Sequence, residues 1–189
     1  MYTKKLDYVP FYMQQWGNYC GAANAQMALD GYPDTSIRVK YDQVSLFNIM
    51  KLHNSQTPPD PQHWGGTDPK GMSVCLQSLS SLPVDWVAPS GTNVDAAILF
   101  ILRSMNRTGI PIPALVDGGD HWVLVVGWQT DVEPTDTNNP KLLHVYFSDP
   151  DTNGANHTLI TAKTWMKHFR AVDRPGTWSK KYVAIGQGP

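Results

Sequence analysis

The sequence is poor in charge and has no long apolar run. Charged residues make up 16% of its 189 positions, and 15 Lys and Arg nearly balance 16 Asp and Glu. Without a net charge of one sign, the chain has no general attraction for nucleic acid or for an anionic membrane. The longest apolar runs, residues 96–102 and 122–128, are much shorter than the roughly 20 residues that a helix needs to cross a bilayer. We therefore expect no nucleic-acid partner and no membrane partner.

The beginning of the chain also lacks a recognisable targeting signal. Its first ten residues, MYTKKLDYVP, do not contain the apolar core of a secretory signal peptide. We expect a soluble protein on these grounds. Its compartment and its oligomeric state stay open, because neither leaves a clear mark in this sequence.

Cysteine is scarce, with only Cys20 and Cys75 in the chain. Two thiols are too few for the disulfide framework of a small secreted domain or for a zinc site built from thiolates. The run DPDTNG at 149–154 begins like a calcium-binding EF-hand loop, but Ile160 stands at the twelfth position, where a bidentate carboxylate is needed. We expect neither a metal nor a cofactor, and a separate role for each cysteine.

The sequence does contain enough apolar material for one folded core. Apolar residues make up 41% and aromatic residues 11% of the chain, which is far from the composition of a disordered protein. The length fits one ordinary domain, so we predict a single domain over residues 1–189. Polar or Pro-rich and Gly-rich stretches at 55–71 and 131–140 are predicted to be loops within that domain.

The apolar pattern changes between the two halves of the chain. Helical spacing predicts helices over 21–29, 41–52, 72–79, 94–105 and, later, near 162–169, with Asp34, Thr35 and Ser36 as candidate capping residues. Runs of β-branched and aromatic residues predict buried antiparallel strands over 113–116, 122–129, 142–148 and 182–185. This order predicts an α+β fold with a cleft where the helical and sheet layers meet.

Cys20 is predicted at the first turn of the first helix, after the turn-forming residues Gly17 and Asn18. A helix N-terminus carries unpaired backbone N–H groups and a partial positive charge, which stabilise a negatively charged sulfur. The small residues at 21–23 leave that sulfur approachable. Cys20 is therefore a candidate nucleophile, whereas Cys75 lies among apolar helix residues and is predicted to belong to the core.

His121 has the most suitable context for a base among the six histidines. It follows the turn DGGD at 117–120 and precedes a strand, so a rigid strand end would hold the ring while glycines leave space around it. Asp149 ends another predicted strand, just before Pro150. A carboxylate there is suited to orient the imidazole, although Asp149 taken alone could equally form a local turn with Pro150.

Three short motifs together resemble those of papain-like cysteine peptidases. They are Gln14 followed six positions later by Cys20 and Gly21, the run GDHWV around His121, and the run FSDP around Asp149. Over residues 9–170 the chain is most similar to the bacterial branch that includes the leader-removing peptidase domains of bacteriocin exporters. The resemblance implies a helical lobe carrying the cysteine, packed against a twisted antiparallel sheet that carries the histidine and the acid.

The resemblance also implies a role for each motif residue. Cys20 is the nucleophile, His121 the base and Asp149 the residue that orients the base. The side-chain amide of Gln14 binds the oxyanion, and Gln15, one position away, is the weaker candidate. The implied reaction is hydrolysis of a peptide bond in a protein or peptide substrate, through a covalent thioester. Because an extra polar loop separates His121 from Asp149 and the sequence contains no exporter parts, the leader-peptide specificity is not carried over.

Two other functions stay open at this stage. The same triad can hydrolyse non-peptide amides, deamidate glutamine or transfer acyl groups. The fold can also serve as a binding module without turnover, although an intact set of four motif residues argues against that function.

Overall fold

The computed structural model describes residues 1–31, 41–55, 65–80, 85–88, 90–151 and 153–188. Within these ranges the chain forms five α-helices and nine β-strands. The helices are α1 (Cys20–Asp30), α2 (Gln43–His53), α3 (Pro69–Leu79), α4 (Val94–Thr108) and α5 (Ala162–His168). The strands are β1 (Tyr2–Lys5), β2 (Trp86–Val87), β3 (Ser90–Gly91), β4 (Ile112–Val116), β5 (His121–Thr130), β6 (Leu142–Ser148), β7 (Thr158–Thr161), β8 (Tyr182–Ala184) and β9 (Gly186–Gln187).

The α+β fold class predicted from the sequence is confirmed, and each predicted helix and strand is present. Helix α3 starts three residues earlier than its apolar spacing indicated, at Pro69 instead of 72. The Asp68 side chain caps this helix by accepting a hydrogen bond from the Gly71 N–H, and proline is well suited to the first helical position. Helix α4 ends where Gly109 adopts a left-handed conformation and returns its N–H to the Met105 carbonyl.

The sequence did not predict five of the short strands, which are β1, β2, β3, β7 and β9. Strand β1, with the sequence YTKK, is mostly exposed and shows no apolar alternation, so only its pairing with β5 defines it. The candidate capping residues Asp34, Thr35 and Ser36 lie outside the described residues. The same is true of positions 56–64 within the loop predicted at 55–71.

The main sheet has the strand order β3-β8-β4-β5-β6-β7, and each of these pairs is antiparallel. Strand β5 is long enough to take two neighbours on one side. The first half of β5 pairs with β4, and the second half pairs with β1. In the β4 pairing, His121 lies opposite Val116 and Val125 lies opposite Ile112. The β4–β5 hairpin therefore places His121 at one end of the central strand.

Strand β5 presents side chains to two different layers. Trp122 faces α1, since a Cβ added to Gly21 would lie 3.3 Å from the Trp122 ring. Val123 and Val125 face the other way and line cavities with residues of α4 and α5. An irregularity against β6 between Val125 and Gly127 shifts this alternation, so that Trp128 joins the α4 layer as well.

The core is continuous between the sheet and both helical layers. Its largest fully buried side chains include Trp122 on β5, Met27 on α1, Leu102 on α4 and Trp165 on α5. In the described part of the chain, none of the helices combines the length and the apolar character that a membrane crossing requires. The core thus holds α1 and β5 in fixed relative positions, and these two elements carry the candidate nucleophile and the candidate base.

Candidate active site

Cys20 is the first residue of α1, in agreement with the sequence-based prediction. The preceding residue, Tyr19, provides no side-chain cap, and no acidic residue lies in the first turn. The N–H groups at a helix start have no intrahelical partner and carry partial positive charge. The Cys20 sulfur therefore stands at a helix end whose electrostatic field is not neutralised by a capping carboxylate or hydroxyl.

Small residues allow α1 to approach the rest of the site closely. A Cβ on Gly21 would overlap the Thr67 hydroxyl, so any larger residue there would force the two segments apart. The Trp122 indole N–H donates to the Thr67 carbonyl at 3.0 Å. The contact of Gly21, Thr67 and Trp122 thus joins the start of α1 to the start of β5.

Asn24 links the candidate nucleophile and the candidate base through a single side chain. It is fully buried, and its Nδ2 donates to the carbonyl oxygen of Cys20 at 2.8 Å and to that of Trp122 at 2.9 Å. The first partner is the candidate nucleophile itself, and the second directly follows His121 in the chain. One amide group therefore fixes the distance between the two elements that must cooperate.

In the turn before His121, two residues have a left-handed backbone conformation. Hydrogen bonds from outside the β4–β5 hairpin stabilise this turn. Asp117 has a φ of 52°, which is uncommon for a residue other than glycine, and Gly118 has a φ of 74°. The Asp117 N–H donates to the His168 carbonyl at 2.7 Å, and its carboxylate accepts a hydrogen bond from the His168 ring at 3.2 Å. The Gly118 carbonyl accepts the Asp173 N–H at 2.9 Å. Residues at and after the end of α5 thus hold the backbone that carries His121.

His121 and Asp149 form a direct hydrogen bond. Nε2 of the ring donates to Oδ1 of the carboxylate at 2.7 Å, although 28 positions separate the two residues. Asp149 directly follows β6, whose last residue Ser148 pairs with Leu124 on β5, so strand pairing brings the acid to the histidine. Oδ1 also accepts the Asp151 N–H at 3.0 Å. Asp149 therefore forms both the local turn that the sequence allowed and the hydrogen bond with His121.

The charge on His121 depends on its two partners. Burial of the ring would by itself lower the pKa of His121, but hydrogen bonding and electrostatic interaction with Asp149 and Cys20 outweigh this effect and raise the pKa to about 10. The imidazole is therefore protonated at neutral pH. Since Nε2 is bound to Asp149, Nδ1 is the nitrogen left for the Cys20 sulfur. The structure thus joins His121 to Asp149 by a hydrogen bond and places Cys20 close enough to the same ring to influence its pKa.

Gln14 is held at the same end of the sheet by its backbone. Its N–H donates to the carbonyl of Pro150 at 2.7 Å, and Pro150 follows Asp149 in the chain. The Gln14 side-chain oxygen is buried and has no hydrogen-bond partner among the described residues. Gln15, the weaker sequence candidate, has an exposed side chain and contributes its backbone N–H to a neighbouring helix instead.

Gln43, the first residue of α2, fixes the segment around Gln14 on both sides. This buried side chain accepts the Gln15 N–H through Oε1 at 2.9 Å and donates through Nε2 to the Met13 carbonyl at 2.9 Å. Its Nε2 also lies 3.1 Å from Oε1 of Gln26 on α1. Gln43 therefore ties the Gln14 segment to the helix that carries Cys20.

Sequence reasoning missed Asn24 and Gln43. Both are common polar residues inside predicted helices, where a solvent-exposed side chain is the usual expectation, and no local pattern shows that they are buried. Cys75, by contrast, is where the sequence placed it, buried in α3 and not bonded to Cys20. Burial raises the pKa of Cys75 to about 12, so this thiol stays protonated. Among the described residues, no three His, Cys, Asp or Glu side chains lie close enough together to share a metal ion.

Comparisons with known sequences and with known structures give different results. No family model and no curated protein sequence matches this chain. Solved structures do match it over nearly the whole length, at low sequence identity. One is a C39-like peptidase from Bacillus anthracis, with a TM-score of 0.57 and 15% identity, covering 100% of this chain and 98% of that one.

Two further structures are peptidase domains of transporters. The peptidase domain of ComA, a Streptococcus ABC transporter involved in quorum sensing, matches with a TM-score of 0.53 and 17% identity, over 95% of this chain and 99% of that one. A double-glycine-motif protease from an AMS/PCAT transporter, solved in complex with its leader peptide, matches with a TM-score of 0.54 and 12% identity, over 98% and 95%. The chain thus has the papain-like fold of C39-like peptidase domains, including the bacteriocin-processing branch that the motifs resemble.

Proposed function

We propose that this protein is a cysteine peptidase that hydrolyses peptide bonds in protein or peptide substrates. The observation that carries the proposal is the 2.7 Å hydrogen bond between His121 and Asp149, together with the influence of the nearby Cys20 on the pKa of the same imidazole. The residues come from three separate parts of the chain, and a purely structural role would not require a free cysteine at a helix N-terminus beside this pair. The peptidase fold of the structural neighbours agrees with the proposal.

In the first half of the reaction, the Cys20 sulfur attacks the carbonyl carbon of the scissile peptide bond as a thiolate. A carbon–sulfur bond forms, and the carbonyl electrons move onto oxygen. The Cys20 backbone N–H and the Gln14 side-chain amide would bind this oxyanion. When the carbon–nitrogen bond breaks, protonated His121 gives its proton to the leaving amine, so the amine departs neutral and an acyl thioester remains on Cys20.

In the second half, neutral His121 removes a proton from water, and the resulting hydroxide attacks the thioester carbon. The oxyanion forms again in the same place and collapses with loss of the Cys20 thiolate. The products are a carboxylic acid and the starting thiolate–imidazolium pair. Asp149 stays ionised throughout, because its task is to orient the ring and to stabilise its positive charge.

The proposed substrate is a protein or a peptide. One structural neighbour was solved with a leader peptide bound, which supports peptide binding by this fold. Its double-glycine specificity is not part of the proposal for this chain, because the sequence identity to that protein is only 12%.

Cleavage of a peptide library, with mass spectrometry of the products, tests the proposal. We expect new N-termini from the wild type, none from Cys20→Ala, and wild-type products from Cys75→Ala, which is a matched control because it removes the buried thiol instead. Ammonia release from glutamine peptides without new N-termini would assign the triad to deamidation. Absence of any turnover, together with equal iodoacetamide labelling of wild type and Cys20→Ala, would support a binding module.

A further inference from the structure

Asp149 belongs to a tight loop, residues 149–151 and 153–157, which we name the acid loop. The Asp149 N–H donates to the Ala155 carbonyl at 2.7 Å, and the Gly154 N–H donates to the Asp151 carbonyl at 2.7 Å. A Cβ on Gly154 would lie 1.9 Å from the Asp149 carbonyl oxygen, so a larger residue would clash there. Because the loop is closed by its own backbone, a displacement at its far end should move Asp149 as well.

His157 ends the acid loop in an uncommon backbone conformation. Its φ is 48°, in the left-handed region that residues other than glycine seldom adopt. Such a conformation persists where the surrounding contacts fix it. The His157 N–H donates to the Ser148 hydroxyl at 3.2 Å, and Ser148 is fully buried at the end of β6. The backbone of His157 is therefore fastened to the strand that leads into Asp149.

The ring of His157 binds the N-terminal segment of the chain. Its Nε2 lies 3.1 Å from the carbonyl oxygen of Val9, which is 148 positions away. A carbonyl oxygen can only accept, so Nε2 carries a proton and donates it. The Val9 side chain is buried, and a Cβ added to Gly31, directly after α1, would lie 3.1 Å from it. The ring thus binds a backbone that packs against the end of the helix carrying Cys20.

A second hydrogen bond joins the acid loop to the same segment. The Gln14 N–H donates to the Pro150 carbonyl at 2.7 Å, so the loop contacts the segment at both Val9 and Gln14. Residues 10–13, between these two contacts, belong to no helix or strand. The proposed oxyanion donor, Gln14, and the acid, Asp149, therefore lie on opposite sides of one hydrogen-bonded interface.

We propose that His157 is a positioning residue for the peptidase reaction. Its hydrogen bond to Val9 keeps the acid loop against the N-terminal segment, which keeps Asp149 on the His121 ring and Gln14 at the oxyanion site. The inference rests on the proposed peptidase function, because it assigns a task within that same active site. His157 transfers no proton in the reaction, since its Nε2 proton is bound to the Val9 carbonyl.

Two substitutions at position 157 separate this hydrogen bond from the other properties of the side chain. Glutamine carries an amide nitrogen as many bonds from the backbone as Nε2, so His157→Gln can still donate to Val9. Asparagine is one bond shorter and tolerates a left-handed backbone, so His157→Asn removes the contact without adding backbone strain.

His144 provides the matched control for both substitutions. It is a half-buried histidine on β6, outside the acid loop, and its Nδ1 has no hydrogen-bond partner in the part of the chain that the structure describes. His144→Asn and His144→Gln therefore make the same chemical changes without touching the contact with Val9.

The measurements are kcat and KM for a cleaved peptide, and the pKa of His121 from the NMR shifts of its ring nitrogens. His157→Asn should lower kcat by about tenfold or more, because small displacements of catalytic groups cost up to about a hundredfold. KM should stay nearly unchanged, since His157 does not bind the substrate. The pKa of His121, about 10 with Asp149 in place, should fall by roughly half a unit or more as the carboxylate moves away. His157→Gln should restore both quantities, and the His144 variants should keep the wild-type values.

A purely structural role of His157 predicts a different result. His157→Asn would then lower the melting temperature but leave kcat and the pKa of His121 at their wild-type values, and the inference would be rejected. If His157→Asn does not fold, Ser148→Ala is the second variant, since it removes the acceptor of the His157 N–H and leaves the ring in place. A lower pKa of His121 in that variant supports the inference, and an unchanged pKa rejects it.

Failure of this inference is distinguishable from failure of the proposed function. If the wild type cleaves peptides and His157→Asn does so equally well, His157 has no positioning role and the peptidase proposal stands. If the wild type cleaves no peptide, the peptidase proposal fails. The pKa of His121 in the His157 variants then still shows whether His157 holds Asp149 in place, because that measurement requires no turnover.

Discussion

His121 and Asp149 share a hydrogen bond of 2.7 Å, and the same carboxylate oxygen is held by the Asp151 N–H. The carboxylate can only accept, so Nε2 of the ring must carry a proton. This arrangement turns Nδ1 toward Cys20 and fixes one orientation of the ring. The charge of His121, the stability of the fold in acid and the reactivity of Cys20 therefore all depend on this pair.

Asp149→Asn should shift the alkaline limit of activity. The carboxylate contributes to the raised pKa of His121, which is about 10 compared with the ordinary 6.5. Asparagine keeps an acceptor oxygen but removes the charge, so the pKa of His121 falls and the imidazolium is lost at lower pH. We expect the alkaline decrease of kcat/KM to move down by roughly one pH unit or more. A pH–rate profile with an unchanged alkaline limb would show that Asp149 does not control the ring.

Acid should weaken the contribution of Asp149 to folding. Burial acts to raise the pKa of Asp149, but hydrogen bonds from His121 and from the Asp151 N–H lower it to a greater extent, so that it lies below the ordinary 3.8. The folded state then binds this proton less tightly than the unfolded state does. The stabilisation is present above about pH 3.8 and is lost as the pH falls through the lower, folded-state value.

Chemical denaturation of wild type and Asp149→Asn, from neutral to strongly acidic pH, measures this contribution. The difference in the free energy of unfolding should be largest at neutral pH and should shrink as Asp149 becomes protonated. A difference that stays constant with pH would mean that the carboxylate charge makes no net contribution to stability.

Gln43→Leu should lower turnover without changing the reactivity of the Cys20 thiol. Gln43 holds the backbone on both sides of Gln14, so its loss should displace the proposed oxyanion donor. Loss of one such donor typically lowers kcat by about a hundredfold or more. Alkylation of Cys20 by iodoacetamide forms no oxyanion and should keep its wild-type rate. Gln14→Ala should show the same separation, and the double variant should lose little more than either single variant.

Ser104→Ala is a suitable control for Gln43→Leu. Ser104 is equally buried and hydrogen bonded, since its hydroxyl accepts the Gln187 N–H at 2.9 Å, but it lies on α4 and does not contact the site. Its loss should lower stability without lowering kcat. If Gln43→Leu also lowered only stability, or slowed alkylation as much as turnover, Gln43 would not act through Gln14.

Asn24→Asp should separate Cys20 from His121. The substitution keeps the side-chain shape but replaces the donating Nδ2 with a carboxylate oxygen, which faces the carbonyl oxygens of Cys20 and Trp122. Repulsion should move α1 away from β5 and lower the free energy of unfolding by more than the roughly 1–3 kcal/mol of an unsatisfied neutral group, because the buried carboxylate is charged. Alkylation of Cys20 near neutral pH should slow several-fold, because the thiolate loses contact with its cation. Wild-type alkylation over the full pH range in a folded Asn24→Asp protein would contradict this role.

Several features of the site could be predicted from the sequence because their signals are local. Cys20 has small residues after it and turn residues before it, and His121 follows a glycine-rich turn. Asp149 stands where a proline ends a strand. The motif order added Gln14, and the roles of these four residues stay predictions.

Other features could not be predicted because their causes are distant in the chain. Strand β1 has no apolar pattern and exists through its pairing with β5. Asn24 and Gln43 are unremarkable in sequence, and their importance comes from distant partners. Asn24 donates a hydrogen bond to Trp122, which lies 98 positions away. Gln43 accepts a hydrogen bond from Gln15, which lies 28 positions away.

Local sequence signals were sufficient to predict the five helices, strands β4, β5, β6 and β8, and the candidate residues for thiol chemistry. Apolar periodicity, turn residues and ionisable groups are properties of neighbours in the chain. The hydrogen bond of His121 to Asp149, the rise of the pKa of His121 to about 10 and an apolar pocket beside this pair come from tertiary packing. Charge, burial and cavity shape depend on distances through space, which a local sequence pattern does not contain. Packing of α1 and β5 across one core sets those distances.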